Sequence, residues 1–102
     1  MHLIQILLPL YDNAAAPQPA ELFGKTREEL IGRFGGLTAY TRAPAKGLWQ
    51  EDASTTMNDD IVIYEVMTES LDNAWWHTYR GILEQRFRQE AIIVRALPLT
   101  LL

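Results

Sequence analysis

The sequence contains no cysteine and only two histidines among its 102 residues. Without cysteine the chain has no disulfide framework, no thiolate nucleophile and no cysteine-ligated zinc. His2 and His77 lie far apart in the sequence, so we expect no metal site from them. Phosphate-binding glycine loops, nucleophile elbows and HExxH motifs are absent as well. The sequence therefore predicts neither a metal nor a cofactor.

Positive charge and long apolar runs are also scarce. Lys and Arg number 9 against 13 Asp and Glu, a net charge of −4, and no basic run suited to nucleic acid is present. No segment approaches the roughly 18 apolar residues of a membrane-spanning helix. The apolar start Met1–Leu10 lacks a basic region and is interrupted by Pro9, which argues against an export signal. We expect a cytoplasmic protein with no nucleic-acid or membrane partner.

Three segments of the chain are apolar on both alternating faces, yet each carries one polar residue in mid-run. The segments are Leu3–Leu8, Ile61–Met67 and Ile92–Leu97, and the polar residues are Gln5, Glu65 and Arg95. A small single-layer sheet has helices for one face only, so a second apolar face needs another partner. The simplest partner is a second copy of the chain. The pattern thus predicts a homodimer through the sheet faces.

The order of predicted elements places the chain in the α+β class, as one domain over residues 1–102. The first half of the chain is predicted to form a strand Leu3–Leu8, a helix from Pro19 to about Phe34, and a short strand Leu37–Arg42 with a hairpin return Lys46–Gln50. After a loop Glu51–Asp60, we expect a strand Ile61–Met67, a helix capped by Ser70 or Asp72 and running to about Arg88, and a last strand Ala91–Leu97. This is the ferredoxin-like β-α-β-β-α-β arrangement with an extra hairpin strand and an antiparallel sheet.

In that topology we expect the first and third main strands to be central and parallel, with the fourth beside the first. Gln5, Glu65 and Arg95 share one alternation phase and would form a row on the face without helices, with Gln5 in the middle. The opposite phase, which includes Ile4 and Tyr64, would take the helices. We favour a structural ion pair bonded to Gln5 at the dimer face. The alternative makes Glu65 a base or Arg95 an oxyanion anchor.

Three short motifs carry a resemblance to a known superfamily. They are Phe34-Gly35-Gly36-Leu37-Thr38, Gly47-Leu48-Trp49 and Tyr79 followed by Arg86-Phe87-Arg88-Gln89-Glu90. The chain resembles small uncharacterised bacterial families of the dimeric α/β-barrel superfamily, which carry "FP-GLT", "G-W" and "Y…RF-QE" in equivalent places. The resemblance implies two ferredoxin-like protomers with their sheets facing each other. Members include cofactor-free monooxygenases of the antibiotic-biosynthesis type, muconolactone isomerases and proteins of no known activity, so it assigns no catalytic residues here.

The second predicted helix concentrates aromatic residues on one face. Trp75, Trp76 and Tyr79 fall on the same helical arc, which we interpret mainly as a core face. Their indole and phenol groups can alternatively be the polar groups of an apolar small-molecule pocket between helix and sheet. Arg86 lies on this arc too, either as a snorkelling side chain that complements the helix end or as an anchor for an anionic or enolate ligand. His77 lies opposite and is expected to face solvent.

Two functional hypotheses follow. In the first, the protein is a homodimer that binds a small apolar or aromatic molecule between helices and sheet, or is a purely structural dimer. In the second, it is a cofactor-free monooxygenase or isomerase, in which the two tryptophans stack the substrate, Tyr79 or Tyr64 exchanges protons and Arg86 stabilises an enolate. The candidate ligand-binding residues are Tyr64, Trp75, Trp76, Tyr79, Arg86 and Trp49.

Overall fold

Two helices pack on one face of a four-stranded antiparallel sheet. The structure is a computed structural model that describes residues 1–50 and 56–102, with side chains described for residues 1–41 and 60–102. Its elements are β1 (His2–Pro9), α1 (Ala20–Phe34), β2 (Thr38–Gln50), β3 (Thr56–Thr68), α2 (Asn73–Arg86) and β4 (Val94–Pro98). The strand order is β2-β3-β1-β4. The chain therefore has an α+β fold compatible with the ferredoxin-like class.

The helix boundaries follow local chemistry. Pro19 precedes α1, and the helix is capped by Gly35, whose N–H still donates to the Ile31 carbonyl and whose positive φ of 79° turns the chain out of the helix. Of the two predicted caps for α2, Asp72 is the one used, because its Oδ1 accepts from the Trp75 backbone N–H at 3.0 Å. Within residues 1–50 and 56–102, no helix is both long and apolar enough to cross a membrane.

The predicted extra hairpin strand is wrong, because β2 is a single strand. The prediction divides this stretch into two short strands, whereas Thr38–Gln50 is one strand that pairs with β3 on both sides of a register shift. The register shifts between Tyr40, opposite Ile63, and Ala45, opposite Ile61. The shifted stretch contains Pro44, and an edge strand with a bulge tolerates proline because one side of it needs no ladder hydrogen bonds. Thr56–Asp60 of the predicted loop belongs to β3, and residues 51–55 lie outside the described residues.

The central strands β1 and β3 are antiparallel, which corrects the expectation that they run parallel. His2 pairs with Thr68 at one end and Pro9 with Ile61 at the other. The reason is the order of connections. The crossover through α1 returns the chain in the direction of β1 as β2, and β3 then reverses direction to insert between them.

The core lies between the helices and the sheet face that carries Ile4 and Tyr64, as the alternation of apolar residues predicts. Alternate residues of the two central strands are at most 2% exposed: Ile4, Ile6, Leu8, Val62, Tyr64 and Val66. The helices contribute Leu30 from α1 and Trp76, Tyr79 and Leu83 from α2, and Phe87 follows at the end of α2. The side of the sheet facing the helices is therefore closed by the chain itself. The opposite side is not.

Candidate functional site

The aromatic residues of α2 pack on one another and on Phe34 from α1. Trp75 stacks on Tyr79 with ring centroids 4.8 Å apart, and Phe34 stacks on Trp76 at 5.3 Å. Trp75 and Trp76 meet edge to face at 4.8 Å, which joins the two stacks. Trp76 is 7% exposed and Tyr79 is 5% exposed. These rings connect the C-terminal end of α1 to the first turns of α2.

Arg86 is bound by α1. Its Nη1 and Nη2 donate to the two carboxylate oxygens of Glu29 at 2.7 and 3.0 Å, and Nη1 also donates to the Thr26 hydroxyl at 2.9 Å. The Tyr79 hydroxyl donates to the same Glu29 carboxylate at 3.0 Å. The hydrogen bonds from Arg86 hold the pKa of Glu29 below its usual value. Burial, together with the Glu29 carboxylate, raises the pKa of Tyr79 well above its usual range.

Tyr64 is also satisfied by α1, because Arg27 Nη1 donates to its hydroxyl at 2.8 Å. The ring itself is completely buried. At the place where a ligand pocket is predicted, the polar groups of Tyr64, Tyr79 and Arg86 are thus hydrogen-bonded to side chains of α1. These α1 partners are absent from the predicted site, since their separation in sequence from α2 and the strands leaves no local signal. The Trp49 side chain lies outside the described residues, and His77 is exposed beside Arg80.

A cavity of about 320 Å³ lies at the edge of the helix layer, where α1 ends and α2 begins. Its lining comes from α1, from the end of β3 with the following loop, and from the start of α2: Arg33, Phe34, Thr68, Ser70, Asp72 and Trp76. Of the predicted ligand-binding residues whose side chains are described, Trp76 alone belongs to this lining. The cavity is therefore displaced from the predicted location under the middle of α2.

The cavity combines an aromatic wall with one cation and one anion. The Arg33 guanidinium lies over the Trp75 ring, with Cζ 4.1 Å from the centroid. Its Nη2 is 3.7 Å from Asp72 Oδ2, which is an ion-pair distance but longer than a hydrogen bond. Thr68 donates its hydroxyl to the Ser70 carbonyl at 2.8 Å. The two charged side chains are 43% and 57% exposed, so both are open to a ligand.

The face of the sheet opposite the helices, called here the open face, carries a polar row. Gln5 pairs with Glu65 on β3 and with Arg95 on β4. Its Nε2 donates to Glu65 Oε1 at 3.2 Å, and Arg95 Nε donates to its Oε1 at 2.7 Å. Gln5 thus bonds to both charged residues at once.

Apolar side chains surround this polar row. Three of them are well exposed: Ile93 at 57%, Met67 at 52% and Leu97 at 43%. Tyr40, which is 51% exposed, pairs with Ile63 and so shares its face. Half-buried Leu3 and Leu7 lie between them on β1. Exposed apolar patches of this kind mark interaction surfaces in soluble proteins.

Comparison with known proteins supports the fold. No protein-family model and no curated protein matches the sequence. Similar solved structures include a phage SAM lyase in complex with S-methyl-5'-thioadenosine, at 18% identity and a TM-score of 0.60 over 94% of this chain and 79% of that one. The divalent cation tolerance protein CutA1 from Thermus thermophilus has 11% identity and a TM-score of 0.62 over 97% and 84%. CutA1 from Pyrococcus horikoshii has 10% identity and a TM-score of 0.61 over 100% and 86%. At these identities, the chain is similar to these proteins in fold alone.

Proposed function

We propose that this chain is a homodimeric small-molecule-binding protein. Two copies associate through the open face, and each binds a compound with an apolar or aromatic part in its cavity. The observation that carries the binding function is the cavity of about 320 Å³ beside Phe34 and Trp76. Ligand pockets generally occupy about 300–1,000 Å³ and combine apolar walls with a few polar groups. The expected ligand is therefore small.

Charge complementarity on the open face supports the dimer. The row runs from negative Glu65 through Gln5 to positive Arg95. A two-fold axis parallel to the strands and passing near Gln5 would place the acidic end of one row against the basic end of the other. Such self-complementarity is what an isologous interface requires. Because the open face and the helices lie on opposite sides of the sheet, dimerisation would leave the cavity accessible.

The geometry favours binding over the enzyme hypothesis. A cofactor-free monooxygenase or isomerase of the expected type needs Arg86 and a tyrosine hydroxyl available to the substrate. In the structure Arg86 and Tyr79 are bonded to Glu29, and Tyr64 is bonded to Arg27. Binding is therefore the function that the geometry supports better.

Sedimentation velocity at micromolar concentration tests the dimer. We expect the wild-type chain to sediment as a dimer and Ile93→Arg to sediment as a monomer, because the substitution places a charge in the apolar interface. Ile82→Arg is the matched control, since Ile82 is 45% exposed but lies on α2. Glu65→Arg should weaken the dimer about tenfold or more by opposing Arg95 of the second copy, and adding Arg95→Glu should restore it. A monomeric wild type would refute the dimer.

Ligand uptake by the cavity is tested separately with small aromatic compounds. Tryptophan fluorescence should change when L-phenylalanine or 3-phenylpropionate binds, because Trp76 lines the cavity. Ser70→Trp should abolish the change by filling the space, and Ile82→Trp, which adds the same side chain elsewhere on the surface, should leave binding intact. Binding that survives Ser70→Trp would place the ligand elsewhere and contradict the proposed site.

A further inference from the structure

We infer that the ligand of the cavity is a zwitterion with a carboxylate and an ammonium group close together and an apolar side chain, as in a free amino acid. This inference rests on the proposed binding function and specifies its ligand class. It follows from three features of the lining. These are an oriented guanidinium, a carboxylate with one oxygen aimed at it, and an aromatic wall.

Arg33 provides the carboxylate-binding group. Its guanidinium is held over Trp75 at 4.1 Å and approaches Asp72 only to 3.7 Å. Among the residues whose side chains are described, none forms a hydrogen bond with it. A planar guanidinium binds a carboxylate through two parallel hydrogen bonds, and stacking on Trp75 reduces the entropy lost when it does so. The cavity therefore offers a pre-oriented site for a ligand carboxylate.

Asp72 provides the ammonium-binding group. Its Oδ1 is used to cap α2, whereas Oδ2 points towards the Arg33 guanidinium and is open to a donor from the ligand. Ser70 and Thr68 also line the cavity, and their hydroxyls can accept further hydrogen bonds. The two charges also make the site selective for ligands that carry both signs of charge. Asp72 repels a ligand that is only anionic, and Arg33 repels one that is only cationic.

Phe34 and Trp76 define the remaining wall. Their rings stack on each other at 5.3 Å, and both line the cavity. A ligand whose charged groups contact Arg33 and Asp72 would direct its side chain against these rings, where an apolar or aromatic group buries area without losing hydrogen bonds. A volume of about 320 Å³ suits a single amino acid of moderate size rather than a peptide.

Calorimetric titration with a matched set of compounds tests the inference. L-Phenylalanine carries both charges, 3-phenylpropionate only the carboxylate and 2-phenylethylamine only the ammonium, with the same ring. We expect L-phenylalanine to bind about tenfold or more tightly than either analogue, since each charged hydrogen-bonding group contributes that much. Equal or tighter binding of either analogue would overturn the zwitterion.

Two variants separate the charges without removing the site. Asp72→Asn keeps a good helix cap and removes the negative charge, so it should lower affinity for L-phenylalanine about tenfold and raise affinity for 3-phenylpropionate. Arg33→Gln should reverse that preference in favour of 2-phenylethylamine. Lys25→Gln, which removes an exposed charge from α1 outside the lining, is the control and should change neither. If Arg33 and Asp72 serve only to join the helices, both variants would alter stability and leave the order of ligands unchanged, which would refute the inference.

A further titration with S-methyl-5'-thioadenosine separates failure of the zwitterion inference from failure of the proposed binding function. This aromatic compound lacks the zwitterion. If it binds in a manner abolished by Ser70→Trp while L-phenylalanine does not bind, the zwitterion inference is wrong and the binding function stands. If no compound binds, or if Ser70→Trp has no effect, the cavity is not the ligand site and the proposed function fails.

Discussion

Replacing Glu29 by Gln should destabilise the protein by about 2 kcal/mol at neutral pH. Glu29 accepts two charge-assisted hydrogen bonds from Arg86, at 2.7 and 3.0 Å, and one from Tyr79. Each such bond contributes roughly 1.5–3 kcal/mol when fully formed. Gln retains one acceptor oxygen, and the Glu29 side chain is 38% exposed, so water replaces part of the loss. Arg86, only 9% exposed, is left without its counter-ion.

Urea unfolding followed by circular dichroism, at one fixed protein concentration, measures this difference. With the slope of about 2 kcal/mol/M expected for a small domain, the midpoint should fall by about 1 M. Because Arg86 lowers the pKa of Glu29, the extra stability is complete above the ordinary carboxyl pKa of about 4.3 and is lost as pH falls through the lower folded value. The gap between wild type and variant should therefore narrow as pH falls below about 4.3.

Glu28→Gln is the control, because Glu28 is an exposed neighbour on α1 that forms no hydrogen bond or ion pair with the described side chains. Its midpoint should match that of the wild type at neutral pH. A Glu29→Gln midpoint equal to that of Glu28→Gln would refute the reasoning. It would mean that desolvation cancels the attraction in this pair. A gap that persists unchanged at pH 3 would show that lost packing, rather than lost charge, causes the effect.

Two further stability predictions concern α1. Thr26→Val should cost about 1–2 kcal/mol in urea unfolding, because the buried hydroxyl donates to the Leu22 carbonyl and accepts from Arg86, and its effect should not add to that of Glu29→Gln. A fully additive double variant would contradict the shared network. Gly35→Ala should cost about 1–2 kcal/mol, because its φ of 79° is unfavourable for alanine. No atom lies within 4 Å of an added Cβ, so this cost comes from the backbone conformation and not from a steric clash. Gly36→Ala, at ordinary φ, should be close to neutral, and equal losses at both glycines would disprove the left-handed cap.

Alternation along the strands predicted which residues the helices cover. Ile4, Ile6, Val62 and Val66 are buried as expected, because period-two patterning responds directly to a two-sided sheet. The hairpin prediction failed at Pro44, where local turn preference suggested a reversal. Tertiary pairing with β3 keeps the chain extended instead, with a register shift to accommodate it.

The candidate site was less predictable than the fold. Helical periodicity placed Arg86 on the inner arc of α2, but its partner Glu29 lies 57 residues earlier on α1, and no pattern within α2 indicates that contact. The cavity shows the same limit. Arg33, Ser70 and Asp72 come from the end of one helix, a loop and the start of the next, so only the packing of these elements brings them together. Among the predicted ligand-binding residues whose side chains are described, Trp76 is the one that lines the cavity.

The amide of Gln5 fixes the alignment of three strands. Its oxygen accepts from Arg95 and its nitrogen donates to Glu65, so it satisfies a cation on one side and an anion on the other. A slip of β3 or β4 by one residue would turn the charged residue of that strand towards the helices, where burial without a partner is costly. The row therefore discriminates against misaligned pairing during folding. Substituting Gln5 by an apolar residue would remove that discrimination even where it left the native sheet well packed.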